Sequence, residues 1–484
     1  MTVDAPPMIA RVEQRGIDYI PPVERWARPR DLAGMWAGSG FNFEYLVYGA
    51  LLMTFGFSFA QAVVVILVGN LSYVLLGLCS LQAPQAGTTT FMINRSGFGP
   101  NGSRLIALFN WLTQVGFETE GLVLVVLAAE ALASKAGVHT GTGLKVLFIA
   151  LAALVQMVLP FLGHATVVRV LRWMLLPFLA FYAILAALTL GKAHFAAVHH
   201  GADWETFMVG LAFVITLSGL GWVENGNDYS RYLPADASKP AIVGWVTLGG
   251  AVPEILMMLL GASVATYVPT VGGNPIGEFP HAFAGWFLVP FLVVVILQLF
   301  AINSIDLYSS GVTLQALGLR LQRWQAVLLD TVLACGLTVY AVFSSSFSGL
   351  LQDFVEAVIV WIAPWCAIFL VDWVLHRFSY SSEDLQVADR RSRYWRRGGV
   401  HWPAIVAQVA GGVAAVAGLS QVFYLGSKTY SFHGWVSGLF GGKAAGFPDF
   451  SVYLGLGVAG VVYAALAAPG IRRGGVQRVA ALSG

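Results

Sequence analysis

Apolar runs of about twenty residues recur along this chain, the length a helix needs to cross the hydrocarbon core of a bilayer. On that ruler the sequence offers about twelve spans, numbered 1 to 12: 32–56, 60–82, 104–133, 143–162, 167–190, 207–230, 241–268, 283–318, 324–345, 350–375, 402–424 and 450–469. Of 484 residues, 57% are hydrophobic and 11% are charged, whereas soluble domains carry about 25% charged residues. So few charges cannot solvate a surface of this size. The expected class is an all-α polytopic membrane protein, with the lipid bilayer as its first partner.

The basic residues test the count. If the spans alternate in direction, 22 of the 27 Lys and Arg fall on the side holding both chain ends, and only Lys135, Lys145, Lys192, Lys428 and Lys443 fall on the other. The positive-inside rule then places both termini in the cytoplasm of a cell whose inner membrane holds the chain. The first 30 residues are polar, contain Arg11, Arg15, Arg25, Arg28 and Arg30, and lack the apolar core of a cleaved signal peptide. Cys79, Cys335 and Cys366 lie inside apolar segments and read as small packing residues. Residues 84–102 read as a polar loop, and 376–400 as a charged, solvated hinge. A net charge of +2, with no basic stripe among aromatics, argues against a nucleic-acid partner.

Span 1 contains Gly38-Ser-Gly40-Phe41-Asn-Phe43-Glu44, and span 6 contains Gly219-Leu-Gly221-Trp222-Val-Glu224-Asn225. Both read glycine, any residue, glycine, aromatic, then a nearby glutamate. Paired glycines weaken a helix by about 1 kcal/mol each, and backbone freed at mid-membrane survives only around a cavity. Carriers often break corresponding helices of two inverted halves in this way. The expected plan is a five-plus-five inverted repeat with spans 1 and 6 broken and two further spans. Its parts are an N-terminal segment 1–31, halves 32–190 and 207–375, a linker 376–401, spans 11 and 12 over 402–469, and a tail 470–484.

Ionisable groups inside spans are costly and mark function by default. Here they are Glu44, Glu118, Glu120, Glu224, Glu254 and Asp306, with no basic residue at comparable depth. In span 3, Gln114, Phe117, Glu118 and Gly121 share one helical face. An amide, an aromatic plane and a carboxylate together suit a flat heterocycle, although such a face can equally bond to neighbouring helices. Span 8 brings Gln298, Asn303 and Asp306. Asp228 and Arg231, three apart at the end of span 6, suit an ion pair fixing a helix end or a gate. His194, His199 and His200 make no metal motif, and neither metal nor cofactor is expected.

Several of these segments resemble the nucleobase–cation–symport-1 family, in its purine–cytosine permease branch. The pieces are Glu13 to Ile17 with Pro21 to Trp26, Gly69 and Asn70, Arg95 with Phe98, Gly99 and Gly102, Thr113 to Gly116, Asp228 to Pro234, and Asn303 with Leu307 to Gly311. Together they extend in order over about residues 12–470. The resemblance implies uptake of a heterocycle coupled to Na⁺ or H⁺, with substrate among spans 1, 3, 6 and 8. It implies Gln114 and Asn303 as base-binding amides, backbone contacts from Gly40 to Phe43, and further contacts from Gly221 and Trp222. Phe117 stands where relatives stack a tryptophan. Ala301 and Ile302 stand where Na⁺-dependent relatives place two hydroxyls, and Na⁺ wants oxygen ligands. The extra acids Glu44, Glu118, Glu120 and Glu224 suit proton carriage, with Glu118 foremost because it shares a face with Gln114.

The expected function is therefore a symporter importing a cytosine- or purine-type nucleobase with H⁺. The alternatives keep the fold and change the cargo to a thiamine precursor, hydantoin, allantoin or cationic ring, or the ion to Na⁺. An enzyme is disfavoured by the lack of any metal, diphosphate or nucleophile motif, and an ATP-driven pump by the lack of a phosphate-binding loop.

Overall fold

The structure is a computed structural model describing residues 16–196, 201–343, 347–425, 428–442 and 446–482. Arg11, Arg15, His199, His200 and Lys443 lie outside the described residues. Helices dominate, and among the described residues ten are long and apolar enough to cross a membrane. Spans 1 and 3 of the sequence are not among the ten. Span 3 is one 36-residue helix, Pro100–Lys135, carrying Glu118, Glu120 and Glu130. Span 1 is two shorter helices.

The break in span 1 falls where its glycines end. Helix Pro29–Gly40 stops at Phe41, Asn42 turns extended, and helix Phe43–Met53 begins with the Asn42 side chain accepting from the Glu44 amide at 3.3 Å. An asparagine at this position satisfies an amide that the new helix cannot. Span 6 breaks likewise. Helix Trp204–Leu217 gives way at Ser218 to a 3₁₀ turn Gly219–Trp222 and a short helix Gly226–Ser230. A Cβ on Gly219 would sit 2.1 Å from the Tyr73 amide nitrogen, so only glycine lets the break nestle against span 2.

Close backbone approach also joins span 1 to span 7, Lys239–Ala265. A Cβ on Gly49 would lie 1.9 Å from the Met258 carbonyl oxygen, and one on Gly261 would lie 1.9 Å from that of Leu46. Small residues serve this purpose in membrane helices, where apolar side chains gain nothing by leaving lipid. Span 3 packs along span 8, Leu288–Ala316. Cys79 of span 2 meets Cys366 of span 10, both fully buried, with sulfurs 3.9 Å apart.

The end of the bundle near Gly16 corrects two expectations. Residues 84–102 are no solvated loop. They fold as short helices Ala83–Ala86, Thr90–Ile93 and Arg95–Phe98, almost wholly buried. The linker is no free hinge either. It lies over those helices, with Arg95 Nη1 donating to the Leu385 carbonyl at 2.9 Å and the His401 amide to that of Phe98 at 2.8 Å. Burial, helped by nearby Arg104, lowers the Arg95 pKa to about 10. His376, just past span 10, faces the Asp372 carboxylate at 3.2 Å. Burial opposes its charge, but Asp372 prevails and raises the imidazole's pKa above the ordinary value. Asp372 also accepts from Tyr463 of span 12 at 2.6 Å and from Ser96 at 2.6 Å.

Span 11 is shorter than expected. Its helix ends at Gly418, and Ser420–Leu425 pairs antiparallel with Lys428–His433, Ser420 opposite His433. The stretch Ser420-Gln-Val-Phe-Tyr-Leu425 reads as apolar on a hydropathy ruler, yet its aromatic and β-branched residues suit a strand. The last helix runs from Ser451 to Leu482, through the segment expected as a tail.

Candidate functional site

The two breaks free polar groups in the middle of the bundle, and side chains from spans 3, 4 and 8 gather there. Trp222 and Phe117 face one another across spans 6 and 3, parallel to within 13° and 6.5 Å between centroids. The Trp222 indole is anchored by donating to the Tyr45 hydroxyl at 3.0 Å and lies edge-on to Trp36. Phe354 of span 10 meets Phe117 edge-on at 4.9 Å. Gly116 permits this approach, because a Cβ there would lie 2.1 Å from the Phe354 ring.

Beside the parallel pair, the Gln114 amide donates to Glu224 Oε1 at 2.8 Å and to Asn225 Oδ1 at 3.0 Å. A Cβ on Gly221 would come within 3.9 Å of the Phe117 ring. The structure thus brings Gln114, Phe117, Gly221, Trp222 and Glu224 together.

The single face expected of span 3 divides. Glu118 turns to span 4, accepting from Gln156 Nε2 at 2.6 Å. Asn303 donates to the Glu118 carbonyl at 3.0 Å and to Gln156 Oε1 at 3.1 Å. Gly121 gives Asn303 its room, since a Cβ there would lie 2.2 Å from Asn303 Oδ1. Gln114 and Asn303 therefore belong to separate clusters. Glu120 accepts from Tyr48 of span 1 at 2.7 Å and borders a cavity of about 220 Å³ between spans 3, 9 and 10. Glu44 is contacted by the Asn42 amide at 3.3 Å.

Other expected residues are held among their neighbours. The Phe43 ring lies edge-on to Phe279 and Phe291, with centroids 5.4 and 5.6 Å away, and a Cβ on Gly40 would lie 3.1 Å from Pro253. Asp228 accepts from the Thr90 amide at 2.8 Å and from Ser309 at 2.6 Å. Arg231 donates to the Gly16 carbonyl and the Tyr308 hydroxyl, each at 2.5 Å. These two residues tie the end of span 6 to span 8 and to the N-terminal segment. The carbonyl of Phe41, freed by the break in span 1, accepts from Gln298 Nε2 of span 8 at 2.7 Å.

Sequence reasoning passed over Gln156, Tyr48 and Asp330. Asp330 of span 9 accepts from Trp111 and from Ser310. Its signal was present, as the lone acid in span 9. Gln156 is likewise the one amide in its span. Among the described residues, no three His, Cys, Asp or Glu side chains gather as metal ligands.

A many-spanned helical bundle with two interrupted helices enclosing buried polar groups is the architecture of a membrane permease. The profile of the family described as "Permease for cytosine/purines, uracil, thiamine, allantoin" matches residues 19–438. The chain belongs to this family, the nucleobase–cation–symport-1 permeases. It is 27% identical over 477 residues to the protein YxlA of Bacillus subtilis, covering 96% of this chain and 97% of that one. A purine-cytosine permease of Emericella nidulans is 24% identical over 444 residues, covering 86% and 83%. In fold it is similar to Mhp1, a nucleobase-cation-symport-1 transporter solved closed with bromovinylhydantoin bound, at a TM-score of 0.70 and 19% identity, covering 93% of this chain and 94% of Mhp1. The inward-facing form of Mhp1 matches at a TM-score of 0.71 and 17% identity, covering 96% of each.

Proposed function

We propose that this permease is a proton-coupled symporter that imports a cytosine- or purine-type nucleobase, holding the ring between Phe117 and Trp222. The observation that carries the reading is that parallel pair beside Gln114, Glu224 and Asn225. Two nearly parallel faces with centroids 6.5 Å apart offer a flat ring aromatic surface from two spans. The amide and carboxylate are placed to bond to the edge of a ring so held. The relatives' names favour a nucleobase over a hydantoin, while the fold neighbour's ligand favours a hydantoin.

Proton coupling over Na⁺ is supported by Gln298. Its amide already satisfies the Phe41 carbonyl, and neighbouring Ala301 and Ile302 bring no side-chain oxygen. Glu118 is kept as first choice of proton carrier because it is wholly buried with Oε2 unpartnered among the described residues and is held by Gln156, and no longer because of a face shared with Gln114; Glu44, Glu120 and Glu224 stand behind it. In this reading the chain forms twelve spans in the inner membrane, as a five-plus-five inverted repeat plus two, with both termini cytoplasmic.

Uptake of labelled cytosine and adenine into proteoliposomes tests the proposal, with pH and Na⁺ gradients imposed singly. Accumulation is expected under an inward proton gradient alone and is expected to fail in Glu118→Gln. Accumulation driven by Na⁺ at symmetric pH overturns the coupling, and failure to take up either base overturns the cargo.

A further inference from the structure

A second face of span 3 has no role in the site as drawn so far. Glu120 and Val123 of span 3, Leu337 and Ala341 of span 9, and Leu351 and Phe354 of span 10 line a cavity of about 220 Å³. Helical geometry sets Glu120 about 120° and Val123 about 180° around span 3 from Gln114. The cavity therefore lies on the side of the helix turned from the Gln114 cluster. Phe354 meets Phe117 edge-on, and Phe117 in turn faces Trp222, so two rings lie between the cavity and the indole.

Among the described residues, Glu120 is the one ionisable carboxyl in the lining. It is 7% exposed. Its Oε1 accepts from the Tyr48 hydroxyl at 2.7 Å, while Oε2 is buried with no partner among the described residues. The hydroxyl of Thr119, beside it in the wall, is spent on the Val115 carbonyl at 2.7 Å. The basic residues of span 3, Arg104 and Lys135, are each about four helical turns from Glu120.

A buried acceptor without a donor carries a cost that an incoming donor removes, and a carboxyl among apolar side chains favours a donor that also brings positive charge. The other walls are apolar or aromatic and favour a ring or short alkyl group. Phe354 and Tyr340 supply ring faces that attract a cation. Size narrows the choice. A dry cavity of about 150 Å³ holds a benzene ring, so one of about 220 Å³ holds a ring with a short arm.

We propose that the cavity between spans 3, 9 and 10 is a second binding site, which takes a small primary ammonium ion bearing one apolar ring. The ammonium donates to Glu120 Oε2, and the ring lies among Val123, Leu337 and Phe354. The site is independent of the cargo and the coupling proposed above. A neutral alcohol of the same shape keeps the apolar contacts and loses the charge-assisted hydrogen bond. An acyl chain fills the walls and leaves Oε2 unpaired.

Calorimetry on the full chain in nanodiscs tests this with benzylammonium and the neutral benzyl alcohol, each measured against empty discs. Wild type is expected to bind benzylammonium about tenfold more tightly than benzyl alcohol. Glu120→Gln is expected to bring that ratio below about twofold, and Gln114→Ala, on the far side of span 3, to leave it unchanged. Should Glu120→Gln fail to fold, Ala341→Phe is the second variant. It fills the cavity while keeping the carboxyl, and is expected to weaken both probes about tenfold. Heat no greater than that of empty discs means partition into lipid only and overturns the proposal. Equal binding of the two probes by wild type overturns it too, as does a ratio that survives Glu120→Gln or binding indifferent to Ala341→Phe. A ratio lost as fully in Gln114→Ala moves the ammonium to the central cluster and removes the second site.

Discussion

Gln114 donates through Nε2 to Glu224 and Asn225 and keeps a buried Oε1 without a partner among the described residues, so its loss strips donors from a buried cluster and an acceptor from any ring bound beside it. Gln114→Ala is expected to weaken cytosine binding by about 1–3 kcal/mol, measured by calorimetry; unchanged affinity removes Gln114 from the site. Phe117→Leu is expected to weaken binding and Phe117→Trp to preserve or tighten it, because stacking gains with aromatic area. If Phe117→Leu and Trp222→Leu both leave uptake unchanged, neither ring flanks the substrate. Gln114 and Phe117 stood out in the sequence because they share a polar, glycine-containing face in an otherwise apolar run, whereas Trp222 entered through the family resemblance. Gln156 did not stand out, because an isolated amide in an otherwise apolar helix carries no local sign of what it bonds to. The separation of Asn303 from Gln114 was equally hidden. It depends on how span 3 rotates between spans 4, 6 and 8, and helical periodicity assigns faces without saying which neighbour each face meets.

At the scale of elements, the broken helices were readable and the elements around them less so. Glycine pairs mark weak points in a helix, so spans 1 and 6 announced their own interruptions, while the capping of the restart by Asn42 in span 1 came from the structure. The buried helices between Ala83 and Phe98 were hidden by their Thr, Ser, Asn and Gly content, and the Thr90 amide and Ser96 hydroxyl find tertiary partners in Asp228 and Asp372. The contact between spans 1 and 7 gives a sharp test. Gly261→Val places side-chain atoms where the Leu46 carbonyl lies and is expected to destabilise the protein by about 1–3 kcal/mol. A thermal melt of the detergent-solubilised variant measures it. Gly285, with nothing near its Cβ, is the control position at which Gly→Ala leaves the melting temperature unchanged.

For the whole molecule, the network on Asp372 binds span 10 to His376, to Ser96 and to Tyr463 of span 12, and it adds a pH dependence to stability. The folded-state pKa of His376 is raised, so its contribution is complete below the ordinary value of about 6.5 and disappears as pH rises through the raised one. The melting temperature is therefore expected to fall on going from about pH 6.5 to 8.5 more steeply in wild type than in His376→Gln. Parallel slopes would mean that the histidine contributes nothing. The sulfurs of Cys79 and Cys366, 3.9 Å apart, have a different use. A carrier that slides span 10 past span 2 by one helical turn separates them by about 5 Å, beyond the span of a disulfide. Oxidative cross-linking then works only in states that keep the two spans in register. The unaltered chain thus contains a gauge of its own transport cycle, readable on a non-reducing gel without introducing a single new thiol.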